Sequence, residues 1–376
     1  MKKAMKIILI VFAVIVALVL IFVGVLTVTE YRPEDVETLE VRGGSGQTSG
    51  NPNTSADNEA SSEDNNGTNE MHQGDSLTVL TWNTGYGALG DNADFFMDGG
   101  EMVKTADKDR VLANVTGITD TIKDIDPDII MLQEVDENST RSYGINERES
   151  YEEAFAGYYT SFAYNYKTLM VPYPLPPIGK VASGIMTLSA YSVDSAVRIK
   201  LPCPFSYPVR LCNLKRCLLV SRIPVAGSDK ELVIVNVHLE AYDSGEGKEA
   251  QTKMLAELLK KEQEAGNYVI AGGDFNQAFS NVDISDYPLQ RDDLWAPGLI
   301  DTEAFGEHLS CLTDPANPTC RSLDQPLDTY EGSDFQYYVI DGFIVSDNVT
   351  VESLETLNEG FKNTDHNPLK LVVKLD

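Results

Sequence analysis

The stretch Tyr268-Val269-Ile270-Ala271-Gly272-Gly273-Asp274-Phe275-Asn276 joins a run of β-forming residues to a short polar motif. The run predicts a buried strand. Asp274 and Asn276 are two positions apart, so an extended backbone would point both side chains to the same side. The Gly272-Gly273 pair lets the backbone pass close to a crowded site. A strand joined to polar side chains is the pattern that decides the fold.

Five further polar motifs abut strand-like runs. They are Thr81-Trp82-Asn83, Leu132-Gln133-Glu134-Val135-Asp136, Asn236-Val237-His238-Leu239-Glu240, Ile340-Asp341-Gly342 and Asp365-His366-Asn367-Pro368-Leu369. Apolar residues at helical spacing predict helices over Arg110–Ile125 and Gly247–Glu264. Strands interspersed with helices indicate a mixed α/β architecture of packed layers, with most of the polar motifs along one rim of strand ends.

The N-terminus predicts a membrane anchor. Lys2, Lys3 and Lys6 precede an uncharged apolar stretch from Ile7 to Thr29. A helix of this length, at about 1.5 Å per residue, crosses the hydrocarbon core, and the basic residues favour a cytoplasmic N-terminus. A cleaved signal peptide would have a shorter apolar region, of about 7–15 residues, and a small-x-small cleavage site. We therefore expect a retained single-pass anchor and an extracytoplasmic domain.

The composition divides the chain into three segments. Residues 43–74 are mostly Gly, Ser, Asn, Thr, Asp and Glu, and they cannot bury enough apolar surface to offset the entropy of ordering. We expect a transmembrane anchor over 1–30, a flexible polar linker over 31–75 and a folded domain over 76–376. Such a linker would let the domain sit on the order of tens of ångströms from the bilayer.

The net charge of −29 argues against a protein that coats polyanions non-specifically, because such proteins are basic. One stretch, 195–228, holds no acidic residue. Its basic side chains are Arg198, Lys200, Arg210, Lys215, Arg216 and Arg222. They form either a substrate-facing patch or a set of ordinary solvated positions. The Tyr- and Pro-rich segment 149–177 is likewise either an aromatic rim for a substrate or a packed loop.

The five cysteines leave at least one thiol without an internal partner. An extracytoplasmic location permits disulfides, and a Cys311–Cys320 bond would close a proline-containing loop. The spacing lacks the CxxC pattern or Cys/His clustering of a zinc site.

The carboxylates and amides suit a hard cation and an activated water. Glu134 follows a buried strand and is the best single ligand for Mg²⁺ or Mn²⁺, which prefer oxygen donors. Asn83, also at a strand end, could join the metal site or contact a phosphate. The Asp274 carboxylate could orient or deprotonate a water while the Asn276 amide donates to a nonbridging oxygen.

Two of the four histidines lie in the polar motifs. His238 and His366 are candidates for phosphate binding or proton transfer, with tautomers fixed by a carboxylate partner. Asp341 is the candidate partner of His366. His72 falls in the predicted linker and His308 has no motif around it.

Taken together, the polar motifs resemble the endonuclease/exonuclease/phosphatase superfamily in a membrane-anchored, bacterial-type form. The residues that carry the resemblance are Trp82-Asn83, Gln133-Glu134-Val135, Asn236-Val237-His238, Gly273-Asp274-Phe275-Asn276, Asp341 and Asp365-His366. The resemblance covers about Leu77 to Asp376. It implies the deoxyribonuclease I-like fold, a four-layer sandwich of two mixed β-sheets flanked by helices. It also implies Mg²⁺-dependent cleavage of phosphoester bonds.

The resemblance also implies roles for single residues. Asn83, Glu134 and Asp365 would belong to the metal site, His238 and Asn276 would contact the scissile phosphate, and Asn236 would bind substrate. Asp274 would orient or activate the water, and Asp341 and His366 would form a pair, with Asp274 and His366 both open as the base. The segment Ser183–Tyr191 resembles a family strand in which many members carry Arg where this chain has Ala190, which puts substrate contacts there in doubt.

We therefore expect an anchored, extracytoplasmic, metal-dependent phosphoesterase, active as a monomer on nucleic acid or on a phospholipid headgroup by activated-water attack. A phosphomonoesterase acting on sugar or inositol phosphates is the alternative enzyme. A catalytically silent binding module is the alternative of a different class, since folds are reused without their chemistry. The silent module predicts loss of metal or proton-transfer residues, and Glu134, His238, Asp274 and His366 are all present.

Overall fold

The structure is a computed structural model that describes residues 2–44, 70–243 and 245–376. Four α-helices lie within these ranges: α1 (Lys2–Val28), α2 (Lys108–Ile125), α3 (Glu147–Ala154) and α4 (Glu246–Glu264). The strands are β1 (Val36–Leu39), β2 (Arg42–Gly43), β3 (Met71–His72), β4 (Ser76–Asn83), β5 (Ile129–Asp136), β6 (Tyr159–Val171), β7 (Gly179–Ser189), β8 (Ser195–Lys200), β9 (Cys217–Ala226), β10 (Glu231–His238), β11 (Tyr268–Asp274), β12 (Gln277–Phe279), β13 (Gly298–Ile300), β14 (Leu309–Leu312), β15 (Cys320–Arg321), β16 (Tyr337–Tyr338), β17 (Asp341–Ser346), β18 (Val349–Thr356) and β19 (Leu369–Leu375).

Two mixed sheets form the centre of the molecule. The eight-stranded sheet runs β1-β8-β9-β10-β11-β17-β14, with β3 pairing beside β9, and the seven-stranded sheet runs β18-β19-β4-β5-β7-β6-β2. Apolar residues from both sheets fill the space between them, including Val79 and Ile129 from one and Ile234 and Phe343 from the other. The alternation of side chains along each strand supplies this inner face.

Helices cover the two outer faces. α2 and α3 pack on the seven-stranded sheet, where Val111, Ile118 and Tyr151 are buried. α4 packs on the eight-stranded sheet through Leu255 and Leu259. Each helix buries an apolar stripe against a sheet, which gives the order helix, sheet, sheet, helix. The predicted four-layer α/β sandwich is confirmed.

The strand pairing brings the polar motifs to one edge. β4 and β5 are parallel, with Asn83 opposite Gln133. β10 and β11 are also parallel, with His238 opposite Asp274, while the antiparallel β17 places Asp341 opposite Asp274. Carboxyl ends of parallel strands meet at the same edge of a sheet, so the motifs converge there.

Gly273 provides the close backbone approach that the sequence predicted. Its φ is +147°, and a Cβ added there would lie 2.0 Å from the carbonyl oxygen of Val237 on the neighbouring strand. Only glycine fits beside β10 at the position before Asp274.

The N-terminal helix α1 has a mean hydropathy of 3.5 over its most apolar window, none of which is buried. By length and composition it can be a membrane span or a signal sequence.

The described residues place parts of the predicted linker inside the domain. β1 pairs with β8 and β2 pairs with β6, so the chain joins both sheets soon after α1. β3 pairs with β9 on the other side of the gap. β1, β2 and β3 therefore extend the sheets of the folded domain, and the division of the chain at residues 30 and 75 stays a prediction. Residues 45–69 of the predicted linker lie outside the described residues.

All five cysteines are free thiols, so Cys311 and Cys320 do not form the disulfide that the sequence permitted.

Candidate active site

A pocket of about 400 Å³ opens at the edge where β4, β5, β10 and β11 end. Seven of the nine residues that the sequence singled out line it: Asn83, Glu134, His238, Asp274, Asn276, Asp365 and His366. The other two, Asn236 and Asp341, stand behind the lining residues. The seven lining residues come from five of the six motifs, and Ile340 of the sixth motif lines the pocket as well.

Asp274 is the centre of the hydrogen-bonding groups in the pocket. The Asn83 amide donates to its Oδ2 at 3.0 Å. Nε2 of His238 lies 3.5 Å from the same oxygen, and Nε2 of His366 lies 3.8 Å from it. The backbone N–H of Asn276 donates to Oδ1 at 2.8 Å, so the carboxylate is held from both sides. Burial raises the pKa of Asp274 to about 7, and the nearby Asp341 carboxylate adds to the shift.

Asp341 fixes the orientation of His366. Its Oδ2 lies 2.8 Å from Nδ1 of the imidazole, so Nδ1 carries the shared hydrogen and Nε2 faces the pocket. The hydroxyl of Thr319 accepts hydrogen bonds from the backbone N–H groups of Ile340 and Asp341 and so holds the start of β17. Burial alone would lower the pKa of His366, but the charge of Asp341 outweighs it and raises the pKa well above its ordinary value. The predicted Asp341–His366 pair is present.

His238 has the opposite electrostatic environment. Burial, together with the charges of Arg216 and His366, lowers the pKa of His238 well below its ordinary value. Its Nε2 lies 3.9 Å from Oε1 of Glu134. Within the described residues its buried Nδ1 has no hydrogen-bond partner. A neutral imidazole with one nitrogen toward the carboxylates can bind a phosphate oxygen or a water.

The carboxylates of Glu134 and Asp365 are the oxygen donors in the pocket that could hold a divalent cation. Burial raises the pKa of both groups, so their negative charges lack full compensation by the protein. Hard oxygen donors of this kind suit Mg²⁺ or Mn²⁺. Cys320 lies beside Asp365 and His366, but burial raises the pKa of its thiol to about 12, so it stays neutral and does not extend the donor set.

Asn83 is oriented differently from the predicted metal ligand. Its Oδ1 accepts from the backbone N–H of Gly85 at 3.1 Å, while its Nδ2 lies 3.5 Å from Glu134 Oε1. In this arrangement the amide donates to carboxylates. Ligation of a cation by Asn83 requires the oxygen to leave Gly85.

Three arginines that the sequence motifs did not identify as site residues line the pocket: Arg141, Arg216 and the buried Arg321. Arg141 pairs with Asp136 at 2.9 Å and lies 3.6 Å from the centre of the Tyr86 ring. Arg216 donates to the carbonyl oxygen of His238 at 3.1 Å. Asp136 ends the motif that contains Glu134, and this second acidic residue was the one sequence signal that a cation would be nearby.

The acid-free stretch 195–228 does not form one substrate-facing patch. Arg216 lines the pocket, whereas Arg198 is buried beside β6, where its guanidinium donates to the carbonyl oxygen of Tyr164. Arg222 pairs with Glu231 and Glu262. The long-range pairing of β8 and β9 sends these side chains to different faces.

Ala190 does not remove a cation from the pocket. Ser189 at the end of β7 pairs with Ile129 at the start of β5, whereas the pocket lies at the other end of β5, near Glu134. The doubt that this departure raised about substrate contacts therefore does not apply, and Arg141 and Arg216 supply positive charge at the pocket.

Asn236 does not line the pocket, and the substrate-binding role that the resemblance implied for it stays a prediction. It is fully buried, and its Nδ2 donates to the carbonyl oxygens of Leu132 and Met186 at 3.2 and 2.8 Å. Its Oδ1 accepts from the Gln133 amide at 2.8 Å. These bonds join the two sheets directly below the site.

Asn236→Ala should therefore act on stability. Loss of the bonds leaves buried backbone and amide groups unpaired, which we expect to lower the free energy of unfolding by about 2 kcal/mol or more. Thermal unfolding measures the loss. At a temperature where the variant is folded, its KM should stay within about twofold of the parent value. An unchanged Tm with a strongly raised KM would restore the substrate-binding role.

The comparisons with known proteins agree with this geometry. The profile described as the Endonuclease/Exonuclease/phosphatase family matches residues 80–366. A search of curated proteins found no match. Several solved structures share the fold at low sequence identity.

A crystal structure of an endonuclease/exonuclease/phosphatase from Beutenbergia cavernae DSM 12333 has a TM-score of 0.56 and 17% identity, covering 80% of this chain and 72% of that chain. The structure of the human Nocturnin catalytic domain with bound sulfate anion has a TM-score of 0.50 and 17% identity. The match covers 80% of this chain and 94% of that chain. A family protein from Leptotrichia buccalis C-1013-b has a TM-score of 0.50 and 13% identity, covering 80% and 100%. These likenesses show the fold, and the profile match spans all nine residues that the sequence singled out. The chain belongs to the endonuclease/exonuclease/phosphatase family and is a phosphoesterase-type hydrolase.

Proposed function

We propose that this chain is an extracytoplasmic, metal-dependent phosphoesterase that hydrolyses a phosphodiester by attack of an activated water. One observation carries the proposal. The Asp274 carboxylate lies between two histidines, with His238 Nε2 at 3.5 Å and His366 Nε2 at 3.8 Å, in a pocket that also holds Glu134 and Asp365. Such a reaction needs a proton acceptor, hydrogen-bond donors that bind the phosphate and hard ligands for a cation.

The raised pKa of Asp274 supports a role for its carboxylate as the proton acceptor. A carboxylate whose pKa is about 7 takes a proton from water more readily than an ordinary aspartate. The water oxygen forms a bond to phosphorus, the bond from phosphorus to the leaving ester oxygen breaks, and that oxygen takes up a proton. The products are an alcohol and a phosphomonoester.

The histidines would stabilise the charge that develops on the phosphoryl group. Asp341 holds His366 with Nε2 toward the pocket, and its raised pKa favours the cationic form, which can donate to a phosphoryl oxygen or to the leaving oxygen. His238, with its lowered pKa, would donate as a neutral imidazole. Arg141 and Arg216 add positive charge at the wall of the pocket.

Mg²⁺ or Mn²⁺ would be held by Glu134 and Asp365, with Asn83 joining if its amide turns. When bound, the cation would neutralise charge on the phosphoryl oxygens. The uncompensated buried carboxylates support this assignment. The substrates of the proposal are nucleic acid or a phospholipid headgroup, bound by a monomer anchored through α1.

The full-length chain in detergent tests the proposal on DNA, RNA, phospholipids, sphingomyelin, phosphoinositides and sugar phosphates. We expect turnover of a phosphodiester that falls by about 10²-fold or more on chelation and returns with Mg²⁺ or Mn²⁺. Turnover restricted to monoesters would favour the phosphomonoesterase. Absence of both turnover and metal binding would favour the silent binding module.

A further inference from the structure

The last turns of α1 pack against the catalytic domain. Exposed apolar residues occupy most of the helix from Met5 to Ile21, and burial begins on one face with Phe22, Val23 and Leu26. At about 1.5 Å per residue the exposed part matches the thickness of a hydrocarbon core, so the bilayer surface would lie near Phe22. The remaining turns rise only about 10 Å above it, a little beyond the headgroup layer of roughly 5–8 Å on each side.

The contact between α1 and the domain is specific. The helix touches β6 and the short 3-10 helix Val209–Cys212. The hydroxyl groups of Thr27 and Tyr207 lie 3.3 Å apart. Directly after the helix, the nearly buried Glu30 carboxylate pairs with Arg210 at 3.2 Å and with Lys215 at 3.5 Å. The anchor is therefore held against the domain, and β1 follows within a few residues, so no long spacer separates them.

The segment that holds the anchor also forms part of the pocket wall. Phe205, Asn213 and Leu214 flank the 3-10 helix and line the catalytic pocket. The same helix is bonded to β6, where the Tyr166 hydroxyl donates to the carbonyl oxygen of Cys212 at 2.8 Å. Ile178, at the end of the loop after β6, lines the pocket as well. The exit of α1 and the mouth of the pocket are thus built from adjoining segments.

Exposed apolar side chains lie near this mouth. Leu175 and Tyr173 in the β6–β7 loop are 87% and 68% exposed, and Val209 and Tyr207 beside the helix exit are 55% and 52% exposed. The Tyr173 ring packs on Phe96, next to the pocket residues Phe95 and Met97. Exposed apolar groups clustered beside a membrane exit are expected at a lipid interface.

Basic side chains stand at the same exit in a chain whose net charge is −29. Lys167 and Lys180 line a second cavity together with Thr29 and Tyr31, the residues that follow α1. Lysines at this height can reach the headgroup layer, where anionic lipid attracts them.

We infer that the pocket mouth faces the leaflet from which α1 emerges, and that the enzyme takes a lipid phosphodiester from that leaflet. The β6–β7 loop around Leu175 and the segment around Val209 contact the lipid surface beside the pocket. The substrate class rests on the proposed function, whereas the placement of the mouth rests on the packing of α1. A phosphodiester headgroup would reach Asp274 from the bilayer surface while its lipid tails stay among the apolar rim residues.

Tryptophan quenching tests the placement without any activity. Full-length Leu175→Trp is reconstituted into phosphatidylcholine vesicles with and without brominated acyl chains, with Leu299→Trp as the matched control. Leu299 is 67% exposed and lies in β13, outside the segments around the mouth. We expect the brominated vesicles to quench most of the emission of the tryptophan introduced at position 175. The emission of the tryptophan introduced at position 299 should be retained. Absence of quenching at 175, or equal quenching at both positions, would overturn the inference.

Activity in the same vesicles tests the substrate class. The full chain is reconstituted with phosphatidylcholine, phosphatidylglycerol and sphingomyelin, and headgroup release is compared with hydrolysis of soluble bis(p-nitrophenyl) phosphate and of DNA and RNA. We expect Leu175→Asp to lower the vesicle rate by about tenfold or more relative to its rate on the soluble diester, with no such change in Leu299→Asp.

The outcomes separate the two proposals. Hydrolysis of the soluble diester without hydrolysis of vesicle lipid, or faster hydrolysis of nucleic acid than of lipid, would overturn the inference and leave the proposed function standing. Absence of all hydrolysis would overturn the proposed function and the substrate class with it, while the quenching result would still decide the placement of the mouth.

Discussion

Replacement of His366 by alanine should lower kcat by about 10²-fold or more on whichever phosphoester is cleaved. The imidazole is the group that Asp341 orients at 2.8 Å and whose Nε2 points to Asp274. Removing it takes away a cationic donor at the phosphoryl group and leaves the backbone contacts in place. Steady-state kinetics with saturating Mg²⁺ or Mn²⁺ measure the loss, and thermal unfolding shows that the variant is folded.

His308→Ala is the matched control for this variant. His308 also pairs with an aspartate through Nδ1, at 2.6 Å from Asp347, but it is 65% exposed on the surface. Its removal should leave kcat within about twofold of the parent value. A near-normal rate in His366→Ala would show that the pocket is not the site of the reaction.

Asp274→Asn should have an effect of similar size, about 10²-fold or more on kcat, because the amide keeps the shape of the side chain but cannot accept the proton. Its Oδ1 can still accept from the backbone N–H of Asn276. The same rate assay measures this loss, and Asp347→Asn on the surface is the matched control. Normal turnover in Asp274→Asn would remove the carboxylate from the mechanism and leave His366 as the base.

The stability of Asp274→Asn gives an independent check. The folded-state pKa of Asp274 is raised to about 7 from its ordinary value of 3.8, so folding favours its protonated form. Stability from this group is present below pH 3.8 and is lost as the pH rises through about 7. In chelator at about pH 8 the variant lacks this buried charge, so its Tm should equal or exceed that of the parent. A lower Tm would show that the ionised carboxylate stabilises the metal-free fold.

Much of the site could be predicted because its signals are local. A strand of β-formers that ends in Gly272-Gly273-Asp274 specifies its own conformation and the direction of its polar end. Several such strand ends can be gathered only where the carboxyl ends of parallel pairs meet, as they do at Asn83 and at His238. The same local rules predicted the helices that became α2 and α4.

Other parts of the molecule could not be predicted because they depend on pairing between distant segments. The composition of residues 31–75 indicated a linker, yet β1 and β3 within it join the sheet through β8 and β9. Strands of two to four residues have almost no sequence signal of their own. They form because a neighbouring strand of a sheet is available for pairing. Asn236 is a residue type that often binds substrates. Only the packing of the two sheets shows that its side chain makes hydrogen bonds in the interior.

The amino-acid sequence by itself determined the layered α/β class, seven of the residues that line the pocket and an apolar helix of membrane-spanning length. The tertiary structure alone decided that Arg141 and Arg216 join the pocket, that Ala190 lies at the far end of its strand, and that α1 ends beside the pocket mouth. The physical reason is that secondary structure and side-chain alternation follow from neighbouring residues. The surroundings of a side chain depend on which distant strands and loops pack against it. Bringing those distant segments together is a property of the whole chain.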